Sequence, residues 1–278
     1  TGLPRRPGGS MTPNVGAAMD IRFGATVEEF MRYVTDIGLN HVEFKREYLA
    51  GHPETPEPGQ VRRLSERYGV STTYHAPFRD WNVGSYDETV RQNSVERVKR
   101  TLDDARTADA EAVVVHGGSV PHRYPEWVHD QARENARRSL AECAEYAQLI
   151  GVPLCLENQP IDEQKQRYTT SPADLAATLD PIDVSPRYLG VTLDVGHAKM
   201  NGYDWQAFIE TFGERIRVCH LHDNDGTADQ HRPLPEYESV VEAVPAECFV
   251  FEMKSLADVG KTVAADRTPP ETEVTAGD

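Results

Sequence analysis

Short apolar segments alternate along the chain with longer segments in which apolar residues recur at helical spacing. The short segments have the length of strands, and several of the longer ones are closed by Gly or Pro, which is typical of helix ends. The apolar segments predict eight strands: AMDIRFG (18–24), HVEFK (41–45), STTYHAP (71–77), AVVVHGG (112–118), PLCLENQ (153–159), LGVTLDVGHA (189–198), IRVCHLHD (216–223) and CFVFEMK (248–254).

Eight strand-then-helix units without a break in composition favour a single α/β domain, the (β/α)8 TIM barrel, over a doubly wound sheet. We predict that this barrel spans residues 17–263. Residues 1–16 are predicted to form a flexible leader, and residues 264–278 have the composition of a disordered tail.

Polar residues recur at the C-terminal ends of the predicted strands. In a TIM barrel these ends meet at one rim, where active sites are built, and alternate side chains of each strand point inward. In VCHLHD, His220 and His222 share the inward parity, and Asp229 and His231 follow in the next loop. The residues of this kind at strand ends are His75, His116, Glu157, Asp194, His197, His220, His222 and Glu252.

Imidazole nitrogens and carboxylate oxygens without thiolates form a ligand set that suits Zn²⁺, Mn²⁺ and related ions. A single His or Glu at a strand end is most often a satisfied core or rim residue, but successive strands that each deliver one are hard to reconcile with chance. A closed structural zinc site needs only four ligands. The larger set predicts an open catalytic site with roughly two or three divalent ions per chain, Zn or Mn, with Mg or Co as alternatives.

The chain is acidic, with a formal charge of −16 from 45 Asp and Glu against 29 Lys and Arg, of which six are Lys. Such a charge, if evenly spread, would repel nucleic acid phosphates. An acidic, Lys-poor surface is also expected of a protein from a halophilic host, because salt screens exposed charges. The charge therefore does not decide the ligand.

The spacing of the cysteines indicates a reducing compartment, and the hydropathy of the chain predicts no membrane span. The four cysteines are widely separated and form no CxxC pattern, so we expect buried, free thiols. No apolar stretch reaches the ~18 residues of a membrane span, and the first residues lack the apolar core of a signal peptide. We expect a cytoplasmic protein without a membrane partner, and the sequence carries no signal for an oligomeric state.

The motifs YHAPF, VVVHGGS, LCLENQ, LDVGHA, HLHDNDG followed by DQH, and FEMK resemble those of the xylose isomerase-like TIM barrels, in their order and at plausible spacing. That family includes endonuclease IV and sugar epimerases and isomerases, and the likeness runs from about residue 19 to 256. Endonuclease IV binds three zinc ions through nine ligands. The resemblance implies that these fall here on His75, His116, Glu157, Asp194, His197, His220, Asp229, His231 and Glu252.

The ketose 3-epimerases of the family use one divalent ion and four of these positions, which are here Glu157, Asp194, His220 and Glu252. In that branch the two glutamates also exchange the substrate proton. The chain departs from both branches. It reads HGG at 116–118, where endonuclease IV has His-Pro-Gly, and it keeps the Asp-x-His pair that the epimerases usually lack.

We predict a divalent-metal-dependent isomerase or epimerase that acts on a small sugar or sugar phosphate through an enediolate, with Glu157 and Glu252 as catalytic residues. Lys45, Arg79 and His222 are candidate substrate-binding residues.

Two other functions remain open at this point. The first is endonuclease IV-like hydrolysis of DNA at abasic sites by a trinuclear zinc site, although the predicted loops at the rim show no excess of basic residues. The second is a barrel that keeps metal only as a scaffold, which is disfavoured because every ligand position is filled. Glu43, which shares the inward parity of Lys45, is predicted either to contact substrate or to form a rim ion pair.

Overall fold

The computed structural model describes residues 13–265, and within them eight parallel strands close into a barrel surrounded by helices. The predicted single (β/α)8 TIM barrel is confirmed. Each barrel strand pairs with the barrel strands next to it along the chain, and the first pairs with the last. The barrel strands are β1 (Asn14–Met19), β2 (His41–Lys45), β3 (Ser71–His75), β4 (Val113–His116), β6 (Leu154–Glu157), β8 (Leu189–Asp194), β9 (Ile216–Leu221) and β10 (Cys248–Phe251).

The remaining elements lie outside the barrel wall. Two short strands, β5 (Ser119–Pro121) and β7 (Lys165–Arg167), pair antiparallel with each other and were not predicted. The helices are α1 (Val27–Asp36), α2 (Arg46–Gly51), α3 (Pro58–Tyr68), α4 (Glu88–Ala108), α5 (Glu126–Ile150), α6 (Pro172–Leu179), α7 (Val195–Met200), α8 (Gln206–Phe212), α9 (Tyr237–Ala243) and α10 (Leu256–Ala265).

The first strand was predicted at residues 18–24 but occupies Asn14–Met19. Its N-terminal half is fixed by hydrogen bonds from the backbone nitrogen of Asn14 to the carbonyl of Glu247 (3.1 Å) and from that of Val15 to the side chain of Asn40 (2.8 Å). Residues 14–16 therefore belong to the barrel and not to the predicted leader. The first twelve residues of that leader, and residues 266–278 of the predicted tail, lie outside the described part of the chain.

Strand β8 ends earlier than the predicted segment 189–198, because Asp194 starts a helix. Its carboxylate accepts a hydrogen bond from the backbone nitrogen of His197 (2.7 Å), which caps the N-terminus of α7. The sharp change from strand to helix turns His197 back toward Asp194, so that both side chains lie at the barrel mouth.

The apolar core has two layers. The larger lies between the barrel wall and the helices, and the smaller lies among inward-facing residues of the strands. The inner layer consists of small residues: Ala18, Ala112, Val114, Cys155, Val218, Cys248 and Val250. The polar side chains of the predicted site lie beyond this layer, toward the C-terminal ends of the strands. All four cysteines are buried and free, as expected. No helix within residues 13–265 combines the length and apolarity that a bilayer crossing requires.

Strand β1 passes so close to β2 that a side chain has no room at Gly16. A Cβ atom there would overlap the backbone carbonyl of His41. We expect Gly16→Ala to lower the free energy of unfolding by about 1–3 kcal/mol or more, because two backbones must move apart. Thermal unfolding followed by circular dichroism measures the change. Gly24→Ala is the control, since no atom lies within 4 Å of a Cβ at that exposed glycine; equal melting temperatures for both variants would contradict the account.

Candidate metal centre and active site

The C-terminal ends of the barrel strands open into a cavity of about 1060 Å³. Most of the predicted ligands lie on its wall, and others lie buried just beneath it. The predicted site residues that line the cavity are Lys45, His75, Arg79, His116, Glu157, His197, Asp229, His231 and Glu252. This is the rim at which TIM barrels carry their active sites.

Glu157, at the end of β6, lies between three histidines. Its Oε2 atom is 3.1 Å from Nε2 of His75 and 3.1 Å from Nε2 of His116. Its Oε1 atom is 3.3 Å from Nδ1 of His197. The carboxylate thereby joins the ends of β3 and β4 to the start of α7.

His220, at the centre of the site, is surrounded by carboxylates and is fully buried. Its Nδ1 atom lies 3.5 Å from Glu252, 3.6 Å from Glu157 and 3.8 Å from Asp194, and it makes no hydrogen bond to any of them. Its Nε2 atom lies 3.3 Å from Oε2 of Glu43. The three carboxylates around Nδ1, together with His220 itself, are the four residues that the resemblance assigns to the epimerase metal.

A third group lies in the loop after β9. Asp229 Oδ2 is 3.0 Å from Nε2 of His231 and 3.6 Å from Nε2 of His197. The side chains of Asp229 and His231 therefore meet within this loop. All nine predicted ligands come together at one end of the barrel, and each belongs to a set of three whose potential ligand atoms lie within 4.8 Å of one another.

The orientation of the imidazoles provides a test of whether these residues suit a cation. Nδ1 of three histidines contacts a backbone carbonyl: His75 with Ala76 (2.8 Å), His197 with Asn158 (2.9 Å) and His231 with Glu252 (2.7 Å). A neutral imidazole that donates through Nδ1 carries a lone pair on Nε2. In each of these histidines Nε2 faces a carboxylate oxygen at 3.0–3.6 Å. A lone pair and a carboxylate repel each other unless a cation or a proton lies between them, so the residues fit divalent ions.

The electrostatics of the buried groups agree with this arrangement. Burial opposes charge on Glu157, but His116 and His220 outweigh it and hold the pKa of this carboxyl well below its usual value. Burial likewise opposes charge on His220, but Glu43, Glu252 and Glu157 raise its pKa well above the usual value. The cluster thus requires positive charge, and in the absence of a metal it takes that charge as protons.

Glu43 has a role that its strand position did not reveal. It is fully buried and does not line the cavity, so it lies behind the cavity wall and not at the rim. Its Oε2 atom accepts a hydrogen bond from Thr73 (3.0 Å) and lies 3.3 Å from Nε2 of His220. His41 contacts Thr73 in turn (3.0 Å). Burial lowers the pKa of His41 to about 4, so this histidine is neutral and adds no charge. Glu43 therefore orients His220 so that Nδ1 faces the other carboxylates.

The three predicted substrate-binding residues differ in position. Lys45 Nζ lies 3.0 Å from Oε1 of Glu252 and lines the cavity. Arg79 also lines the cavity, and its guanidinium lies 5.3 Å from the ring centre of Phe78. Substrate contact by Lys45 and Arg79 stays a prediction. His222 does not line the cavity, and its Nε2 atom is hydrogen-bonded to Asp194, so we do not expect it to contact a substrate.

Residues 31–254 match the family model of the xylose isomerase-like TIM barrels. The chain belongs to this family. It is 33% identical over 178 residues to an uncharacterized protein of Methanocaldococcus jannaschii, a match that covers 63% of the chain and 59% of that relative. The chain thus matches less than two thirds of that relative's length.

Two similar proteins carry names that state an activity. Fructoselysine 3-epimerase of Escherichia coli O157:H7 is 23% identical over 218 residues, which is 74% of each chain. A protein named Probable endonuclease 4 of Natranaerobius thermophilus is 23% identical over 226 residues, which is 73% of this chain and 75% of that one. Among solved structures, a D-tagatose 3-epimerase-like protein superposes with a TM-score of 0.75 at 26% identity, over 90% of this chain and 94% of that chain.

The contact between Glu43 and His220 predicts an effect on metal binding. We expect Glu43→Gln to weaken Zn²⁺ or Mn²⁺ affinity about 10–100-fold, the usual effect of losing a partner that orients a metal-binding histidine. Competition with a chromophoric chelator measures the affinity. Glu47→Gln is the matched control, because Glu47 accepts hydrogen bonds from the backbone of Phe78 and Arg79, which an amide oxygen can also accept. Equal metal affinity in both variants would remove Glu43 from the site.

Proposed function

We propose that the chain is a divalent-metal-dependent isomerase or epimerase that acts on a free or phosphorylated ketose. The observation that carries the proposal is the placement of Glu157 and Glu252 beside the same nitrogen of His220, at 3.6 and 3.5 Å from its Nδ1 atom. Both carboxylates have a pKa well below the usual value, despite burial, because cationic neighbours surround them. An ionised carboxylate can remove a proton beside a carbonyl, and a second carboxyl group near the same position can carry the proton that is returned.

In this proposal the two glutamates divide the proton transfer between them. One, as a carboxylate, removes the proton from the carbon next to the substrate carbonyl to give an enediolate, and the other, after taking up a proton from solvent, returns it from the opposite side. Glu157 is kept in place by His75 and His116, and Glu252 by the ion pair from Lys45 (3.0 Å). Those contacts fix the orientation of each base before the substrate arrives.

Glu157, Asp194, His220 and Glu252 would hold the divalent ion nearest to the reaction. When bound, that ion supplies a positive charge that stabilises developing charge on the substrate oxygens. Two other sets of residues provide further positions for divalent ions. One set is His75, His116 and Glu157, and the other is His222, Asp229 and His231. We therefore propose roughly two or three ions per chain, with Zn²⁺ or Mn²⁺ favoured by the mixture of imidazole and carboxylate ligands and Mg²⁺ or Co²⁺ as alternatives.

The comparisons support a sugar as substrate. Fructoselysine 3-epimerase aligns with 74% of the chain, and the D-tagatose 3-epimerase-like protein superposes on 90% of it. The cavity of about 1060 Å³ has room for a small sugar or sugar phosphate.

Cleavage of DNA at abasic sites is the second candidate function, because Asp229 and His231 complete the nine-ligand set and Probable endonuclease 4 is similar over 73% of the chain. Tight DNA binding needs basic side chains that are available to phosphates. Several basic residues of the cavity wall are instead paired within the chain: Arg22 with Asp20 (2.6 Å), Lys45 with Glu252 (3.0 Å) and Arg167 with Asp162 (2.9 Å). This pairing favours the small substrate.

A parallel assay distinguishes the two functions. The metal-loaded protein is incubated at one salt concentration with a panel of ketoses and ketose phosphates and with a duplex that contains an abasic site. We expect conversion of at least one sugar, and a decrease in turnover of about 10²–10⁴-fold in Glu157→Gln and in Glu252→Gln, since each change removes a base. Glu134→Gln, on the exposed face of α5, is the control and should match the wild type.

Two results would contradict the proposal. Strand incision that is lost in Glu252→Gln, without conversion of any sugar, would establish the endonuclease. Full sugar turnover in both glutamine variants would remove Glu157 and Glu252 from the chemistry.

A further inference from the structure

His222 lies at the centre of the third ligand group, although the family resemblance gives it no role there. It is 1% exposed. Its ring stacks on that of His231 with centroids 4.1 Å apart and an angle of 18°, and it meets the ring of His197 edge-on at 5.4 Å. The side chain therefore lies among residues that the resemblance assigns to metal.

The chain leaves a space for this ring. A Cβ atom at Gly196 would overlap ring atoms Cε1, Nδ1 and Nε2 of His222. Because Gly196 lies in the first turn of α7, next to His197, any larger residue there would displace the imidazole. The position of the ring is thus determined by the backbone of α7 as well as by β9, which His222 directly follows.

The hydrogen bonds of His222 determine which ring nitrogen is available. Nε2 lies 3.0 Å from a carboxylate oxygen of Asp194 and donates to it. In a neutral imidazole the other nitrogen, Nδ1, then carries a lone pair. Nδ1 is buried without a hydrogen-bond partner, and 3.9 Å away lies Oδ1 of Asp229, which also has no partner. Two buried acceptors that face each other need a cation or a proton between them.

We propose that His222 is a metal ligand through Nδ1, and that it forms a subsite with Asp229 and His231. These three residues offer ligand atoms within 4.8 Å of one another. The imidazole of His231 is prepared in the same way, because its Nδ1 donates to the carbonyl of Glu252 (2.7 Å) and leaves Nε2 facing Asp229. The subsite suits Zn²⁺ or Mn²⁺. The inference rests on the proposed function for the presence of a divalent ion, but not for the identity of the substrate.

The test measures metal binding and not turnover. Metal-free protein is titrated with Zn²⁺ in competition with a chromophoric chelator, which gives the number of ions and the affinity of each step. We expect His222→Asn to lose one step or to weaken it at least about 10-fold, and His231→Ala to affect the same step. Gly196→Ala should weaken that step too, because it displaces the ring without removing it. His129→Asn is the control, since His129 contacts Gln166 on the outer face of the barrel.

A second measurement does not depend on any variant. Anomalous diffraction at the zinc edge, from crystals of the wild-type protein grown with Zn²⁺, should show an ion about 2.0–2.1 Å from Nδ1 of His222. Unchanged binding steps in His222→Asn, or a zinc-loaded crystal with no ion at that distance, would overturn the inference. A failure of the proposed sugar chemistry would look different, because sugars would remain unconverted by protein that carries its full complement of metal.

Discussion

His220 contacts four carboxylates, and the positive charge that these carboxylates require organises the rest of the site. Glu43, Glu252, Glu157 and Asp194 approach its two ring nitrogens at 3.3, 3.5, 3.6 and 3.8 Å, and none of the four is more than 5% exposed. Buried carboxylates are costly unless they are paired or bound to metal. The surrounding histidines and Lys45 supply part of that pairing, and the imidazole lone pairs that face the carboxylates leave positions where divalent ions would supply the remainder.

The barrel produces this concentration of charge through strand geometry. Parallel strands bring their C-terminal ends to one rim, and the side-chain period of two directs alternate residues inward. On β2 the inward series is His41, Glu43 and Lys45, and on β3 it includes Thr73 and His75. These two strands carry polar residues deep into the barrel, where His41 and Thr73 support Glu43 from below. The residues of the proposed active site and those that support them therefore share the same polar interior.

Much of the fold, and the meeting of polar side chains at one rim, could be predicted, because both follow from periodicity. The strand ends of a (β/α)8 barrel converge, so polar residues at those ends had to meet. The start of β1 was missed, because NVGAAM has weak strand propensity and is held by contacts with Asn40 and Glu247, which are distant in sequence. The short strands β5 and β7 depend on each other across more than forty residues, and neither has a signal of its own.

The roles of Glu43 and His222 could not be read from position alone. Glu43 shares its parity with Lys45, yet one is buried behind His220 and the other lines the cavity. His222 shares its parity with His220, but its surroundings are set by Gly196 and Asp194. The central claim, that Glu157 and Glu252 exchange a proton beside a sugar carbonyl, is tested most directly by deuterium incorporation. In D₂O, NMR should show metal-dependent loss of the proton at the carbon next to the carbonyl of a ketose that the enzyme converts. Conversion with complete retention of that proton would contradict the account.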